Sequence, residues 1–128
     1  MNRQFHTTQN VCELTSVVNQ LERKTINETM MMFHSAVLIV APHGAGLSNM
    51  LFSQPGTYVI EGLCNPPYIV LCYQRLAYVL GHHWHGVMAR RGCQKFVDIS
   101  SYLIESITRK FLHLWKSGQQ QQLSSGES

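Results

Sequence analysis

The chain's chemistry-bearing residues gather in one short run, His43-Gly44-Ala45-Gly46-Leu47-Ser48-Asn49. Two glycines around one small residue allow close backbone approach and positive φ, and a helix starting at Leu47 would aim its N-terminal N–H groups at an anion. His43 stands where an apolar run ends, so it can donate to a phosphate oxygen. The chemistry indicated is a phosphate or pyrophosphate cradle. A plain strand-to-helix turn beside a packed histidine fits the spacing equally well. Glu61 closes a second apolar run and would share a rim with His43, where a carboxylate can accept from ribose hydroxyls. A solvated strand-end carboxylate fits that position as well. His83 and His85 alternate on one face if their segment is a strand, the arrangement of two metal ligands. No third ligand stands nearby, so packing beside Trp84 is the preferred reading and no metal site is assigned.

Two rival chemistries are removed by what the sequence lacks. A His-Gly pair also occurs in the oxyanion-hole loop of lipases and esterases, but that requires a Gly-x-Ser-x-Gly elbow. Gly46-Leu47-Ser48-Asn49-Met50 lacks the closing glycine. A Walker loop is excluded because no Gly-Lys-Ser or Gly-Lys-Thr is present.

The elements that must position these residues follow from periodicity. Val37 to Val40 is an apolar, β-branched run that reads as a strand buried on both faces and ends at Pro42, which cannot donate to a ladder. Leu47, Leu51 and Phe52 begin an apolar helical face of about two turns. Pro55-Gly56 marks a turn, and Thr57 to Glu61 reads as a second strand. Together residues 37 to 61 form a βαβ unit, which implies a parallel sheet. Upstream, Val11, Leu14, Val17, Val18 and Leu21 give an amphipathic helix over residues 10 to 23. Asn27 reads as the N-cap of a short helix through Met30, Met31, Phe33 and Ala36, and also as an Asn-x-Thr glycosylation acceptor. The three consecutive methionines read as core filler. Downstream, Ile69, Leu71, Cys72, Leu76, Val79 and Leu80 form a helix closed by Gly81. Residues 82–88 follow as a strand and 89–95 as a basic loop. A last helix, capped by Asp98 or Ser100, runs through Tyr102, Leu103, Ile107, Phe111, Leu112 and Trp115. Residues 116–128, rich in Gln and Ser, read as a structureless tail.

Composition bounds the partners. The 128 residues make one domain large enough to bury about two-thirds of its unfolded surface. A 45% apolar fraction fits a globular core, while a 13% charged fraction is low and points to surface that meets another domain or partner. The net charge of +3, with scattered basic residues and no aromatic platform, argues against nucleic acid. No run approaches the roughly 18 to 20 apolar residues of a membrane span, and Met1 to His6 has no apolar core like that of a secretory signal. Cys12, Cys64, Cys72 and Cys93 match no zinc spacing and read as buried small hydrophobes; a disulfide involving Cys64 or Cys93 requires an oxidising compartment.

The contiguous pattern Pro42-His43-Gly44-Ala45-Gly46-Leu47-Ser48-Asn49-Met50-Leu51-Phe52, followed by Pro55-Gly56-Thr57 and Val59-Ile60-Glu61, resembles one glycosyltransferase family. That family includes plant xylan xylosyl- and arabinosyltransferases and animal O-linked N-acetylglucosamine transferases of the secretory pathway, one of which acts on EGF domains. The likeness is close over residues 28–62 and looser on to Asp98. It implies an α/β fold, a Rossmann-like parallel sheet with flanking helices, forming the C-terminal, donor-binding half of a GT-B enzyme over residues 1–115. It also implies inverting transfer from a UDP-sugar to a protein or glycan hydroxyl, in the Golgi or endoplasmic reticulum, with no metal motif of the Asp-x-Asp type and no cofactor. By this likeness His43, Gly44, Ala45 and Gly46 face the diphosphate, Leu47, Ser48 and Asn49 start the helix below it, and Glu61 lies near the ribose. The general base and the acceptor site are then expected in an N-terminal domain outside this sequence, which makes the chain a fragment. The alternative is a non-catalytic nucleotide-binding or scaffold module.

Overall fold

The computed structural model describes residues 23–64, 70–90 and 99–125. The expected helix over residues 10–23, the basic loop beyond Arg90 and the cap at Asp98 lie outside the described residues. Helix α1 (Ile26–Ser35) precedes strand β1 (Leu38–Pro42); a 3-10 helix (Ala45–Phe52) leads to β2 (Tyr58–Leu63). Helix α2 (Cys72–Val79), strand β3 (His83–Met88) and helix α3 (Ser101–Ser125) follow. The three strands form a parallel sheet in the order β1-β2-β3. This is a small α/β fold of Rossmann-like character, and the βαβ unit falls where the apolar runs place it.

Strand alternation divides the core between two faces. Ile39, Ala41 and Val59 pack with Phe33, Leu47, Met50 and Ala77, so α1, the 3-10 helix and α2 cover one face. Leu38, Val40, Ile60 and Val87 pack with Ile104 and Phe111 of α3 on the other. β1 is therefore buried on both sides up to Pro42, as a parallel strand between helical layers must be.

Several local expectations are corrected. Thr25, not Asn27, caps α1: its hydroxyl accepts from the Glu28 N–H while the Glu28 carboxylate accepts from the Thr25 N–H at 2.7 Å. Thr25-Ile26-Asn27-Glu28 is a capping box, and two reciprocal bonds outweigh the single bond Asn27 offers two residues further in. Of the three methionines only Met32 packs on the core, because successive helical residues point about 100° apart and cannot share one face. The segment after the glycine loop is a 3-10 helix, so its buried residues are Leu47 and Met50, three apart, while Leu51 is exposed. In α2 the buried residue is Ala77, with Tyr73, Leu76 and Leu80 against the core and Val79 in solvent. In α3 the inward face is Ile104, Thr108 and Phe111, with Ser100 at its start, whereas Tyr102 and Leu103 face out. That helix continues to Ser125, so residues 116–125 are helical; glutamine is a good helix former and each added residue extends an existing ladder.

Two glycines fix the turns that hold the layers. Gly56, at φ 82, follows Pro55 in a tight turn closed by Thr57 N–H donating to the Gln54 carbonyl at 3.2 Å. Gly81, at φ 72, ends α2 in a Schellman arrangement, with His82 N–H on the Ala77 carbonyl and Gly81 N–H on that of Tyr78. The Gly81 carbonyl accepts from Gly56 N–H at 2.8 Å, which ties the two turns together at the sheet's N-terminal end.

Of the four cysteines, Cys12 and Cys93 lie outside the described residues, Cys64 takes the disulfide alternative, and Cys72 departs from its expected burial. Cys64 is disulfide-bonded, and Cys72, at the start of α2, is a free exposed thiol.

Candidate functional site

The parallel register sets the site. Ala41 pairs with Glu61, and Glu61 with Gly86, so these three lie in a row across the C-terminal rim on the sheet face covered by α1 and α2. His43 follows two residues beyond Ala41, and its N–H donates to the Gly62 carbonyl at 2.8 Å, extending the β1–β2 ladder past Pro42. The imidazole turns back toward the sheet. Its Nδ1 lies 2.5 Å from Glu61 Oε1, and its ring lies 5.2 Å from that of Tyr73 on α2.

Glu61 is fully buried, at 0% exposure, whereas the His43 side chain is 27% exposed. A buried carboxylate is tolerated only when paired and hydrogen-bonded. Here both oxygens are engaged: Oε1 by His43 and Oε2 by the Trp84 indole N–H at 2.7 Å. Because the carboxylate only accepts, Nδ1 carries the proton, and Nε2 is the ring nitrogen without a partner among the described residues. A histidine oriented in this way can donate to an anion through Nε2 when protonated, or accept a proton there when neutral.

Trp84 and Gly86 were not legible as site residues. They sit on the same face of β3, two apart, and a Cβ on Gly86 would stand 2.5 Å from Trp84 Cη2 and 2.7 Å from Leu63 Cδ1. Glycine at 86 is thus the space through which the indole lies across the strand to reach Glu61. The signal available in the sequence was the alternation Trp84-His85-Gly86, large beside none on one face.

The glycine loop completes the rim. Gly44 is in an extended conformation, φ 164 and ψ 170, so the left-handed region is not used there. A Cβ at Gly44 would meet nothing within 4 Å, which leaves the backbone open to approach from outside. Leu47 N–H donates to the Gly44 carbonyl at 3.0 Å, while the N–H groups of Ala45 and Gly46, the first two of the 3-10 helix, stay outside its ladder. Asn49 Nδ2 donates to the Gly46 carbonyl at 3.0 Å and so braces the loop from below. Leu47 is buried beneath it; Ser48 is exposed. His82, itself buried, holds the far end of the same helix through the Met50 carbonyl at 3.2 Å.

His83 and His85 do share a face, as alternation predicts, but it is the face opposite Trp84, and His83 lies against Tyr58 with ring centroids 4.4 Å apart. Their expected packing beside Trp84 is therefore corrected. Among the described residues no three His, Cys, Asp or Glu side chains gather as a metal ligand set. No helix among the described residues is long and apolar enough to cross a membrane.

A family model described as Glycosyltransferase 61 matches residues 3–60. The match contains His43 to Asn49 and ends one residue before Glu61. No curated protein and no solved structure matches the chain. The likeness to the glycosyltransferase 61 family is confined to residues 3–60, less than half of the chain.

Proposed function

We propose that this chain is the donor-binding part of an inverting glycosyltransferase, taking a UDP-sugar of the xylose, arabinose or N-acetylglucosamine type. The observation that carries the reading is the His43–Glu61 pair at the C-terminal rim, beside the unladdered amides of Ala45 and Gly46. Ligands of open α/β sheets occupy that rim. His43 Nε2, protonated, donates to a diphosphate oxygen, and the Ala45 and Gly46 N–H groups approach the same group past Gly44. Leu47, Ser48 and Asn49 support the loop rather than reach the sugar. Glu61 acts through His43 by fixing its orientation; fully buried beneath the imidazole and the Trp84 indole, it does not meet a ribose hydroxyl itself.

In the reaction the acceptor hydroxyl oxygen attacks the anomeric carbon as the bond to the β-phosphate breaks. Charge grows on the departing UDP, where an imidazolium and two aimed amides stabilise it more than in the ground state. The proton of the acceptor passes to a general base, which belongs with the acceptor site in a second Rossmann-like domain of a GT-B enzyme. The disulfide at Cys64 favours an oxidising compartment, in keeping with the Golgi or endoplasmic reticulum lumen.

Isothermal titration of the purified chain with UDP tests donor binding, and incubation with UDP-sugars tests turnover. Binding with hydrolysis or transfer supports the enzyme; binding alone leaves a nucleotide-binding module; no binding at millimolar UDP leaves the Rossmann-like layer as scaffold.

A further inference from the structure

We propose that Asn27 carries an N-linked glycan, an inference that rests on the reading of this chain as a protein of the secretory lumen. Asn27-Glu28-Thr29 has the acceptor pattern Asn-x-Thr with no proline between. Read from sequence, the triplet has a rival explanation, an asparagine N-cap, and the structure removes it. Thr25 is the cap and Glu28 its partner, so the fold makes no use of the Asn27 amide among the described residues.

The surroundings of Asn27 fit a bulky polar group. Asn27 is exposed in the first turn of α1, at the head of a stripe formed by Met30, Met31 and His34, all of them exposed. Met30 is 37% and Met31 54% exposed, and Ile26 beside Asn27 is 77% exposed. The inward side of α1 is held by Phe33 and Met32, on the opposite face, so a glycan at Asn27 disturbs no packing among the described residues. It also shields the apolar skin of Ile26, Met30 and Met31, a patch that otherwise invites association. Cys64 supplies the compartment: a disulfide and N-glycosylation are made in the same oxidising lumen.

The step is a substitution on a lipid pyrophosphate-linked oligosaccharide. The Asn27 side-chain nitrogen forms a bond to the sugar C1 as the C1–O bond to pyrophosphate breaks. The lipid pyrophosphate leaves with the electron pair, and the amide proton passes to a basic group of the lumenal transferase. That enzyme acts on the extended nascent chain, so the later helical state of residue 27 sets no barrier.

The test is mass spectrometry of the full chain directed into the endoplasmic reticulum of a eukaryotic cell, with and without peptide N-glycosidase in heavy-oxygen water. The expected result is a glycosylated tryptic peptide containing residue 27, converted by the glycosidase to a labelled aspartate. Asn27→Gln and Thr29→Ala each abolish it, whereas Thr29→Ser retains it. An unmodified Asn27 in chains whose Cys64 is oxidised, which certifies entry into the lumen, overturns the proposal. Occupancy needs neither nucleotide nor turnover. UDP binding can therefore fail while Asn27 is glycosylated, and the reverse result is just as readable.

Discussion

His43 and Glu61, eighteen residues apart, are brought to 2.5 Å between Nδ1 and Oε1 by the parallel pairing of β1 with β2. Neither residue would be so placed alone. The register carries Glu61 opposite Ala41, and the chain's first step past Pro42 brings the imidazole over it. Breaking the pair from the carboxylate side should therefore be felt twice. In Glu61→Gln the amide oxygen can keep the Trp84 indole N–H, but the NH2 then faces His43 Nδ1, so the imidazole must move its proton to Nε2 and the charge-assisted bond is lost. The expected loss is about 1–3 kcal/mol of stability in urea unfolding, with weakened UDP affinity; an unchanged midpoint would contradict the arrangement.

Trp84 and Gly86 should behave as one unit. Trp84→Phe removes the donor that Glu61 Oε2 has among the described residues and is expected to cost about 1–3 kcal/mol. Gly86→Ala, by crowding the indole, is expected to cost a similar amount, about 1–3 kcal/mol. If the glycine serves the indole, the double variant loses less than the sum of the two, a coupling that urea unfolding of the four proteins measures. Strict additivity would separate them.

Much of this fold is legible in the residues, and the exceptions have physical causes. β1 and β2 are plain because β-branched runs bounded by Pro and Gly have few other uses. The capping box at Thr25 was equally present in the letters, yet Asn27 is the stronger single cap and hid it. The helix after the glycine loop differs from expectation because Leu47, Leu51 and Phe52 suit a 3.6-residue period, while the core takes Leu47 and Met50 at a period of three. The site was half legible. His43 and its glycine loop announce themselves locally, whereas the partnership of Glu61 with Trp84 depends on strand register, which no local pattern carries.

The α1 cap should make stability depend on pH. Glu28's carboxyl is held below its ordinary value, chiefly by the Thr25 backbone N–H, then by the Thr25 hydroxyl, with Lys24 adding a smaller attraction against a slight desolvation. A depressed acid stabilises the folded state above its unfolded value, and that contribution disappears as pH falls through the lowered one. Thermal melts of the wild type should therefore show an acid-side decline that Glu28→Gln flattens. Thr25→Ala should cost about 1 kcal/mol at neutral pH by loss of the cap. Equal acid-side slopes in wild type and Glu28→Gln would contradict this.

The thiols should divide cleanly. Iodoacetamide applied to the native protein should label Cys72, which is free and exposed, and leave Cys64 unlabelled until reductant is added. Peptide mapping reads both. Labelling of Cys64 without reduction would remove the disulfide and with it the compartment argument.

The donor-binding account stands or falls on UDP titrations of wild type, Gly44→Ala and His43→Ala. Gly44 has an extended backbone and open space where a Cβ would go, so Gly44→Ala should keep its stability within about 0.5 kcal/mol. His43→Ala should weaken UDP binding by about 1.5–3 kcal/mol, the worth of a charge-assisted hydrogen bond. The account predicts that both variants fold and both bind UDP more weakly than wild type. Wild-type affinity in both, or no UDP binding by the wild type at millimolar ligand, would contradict it.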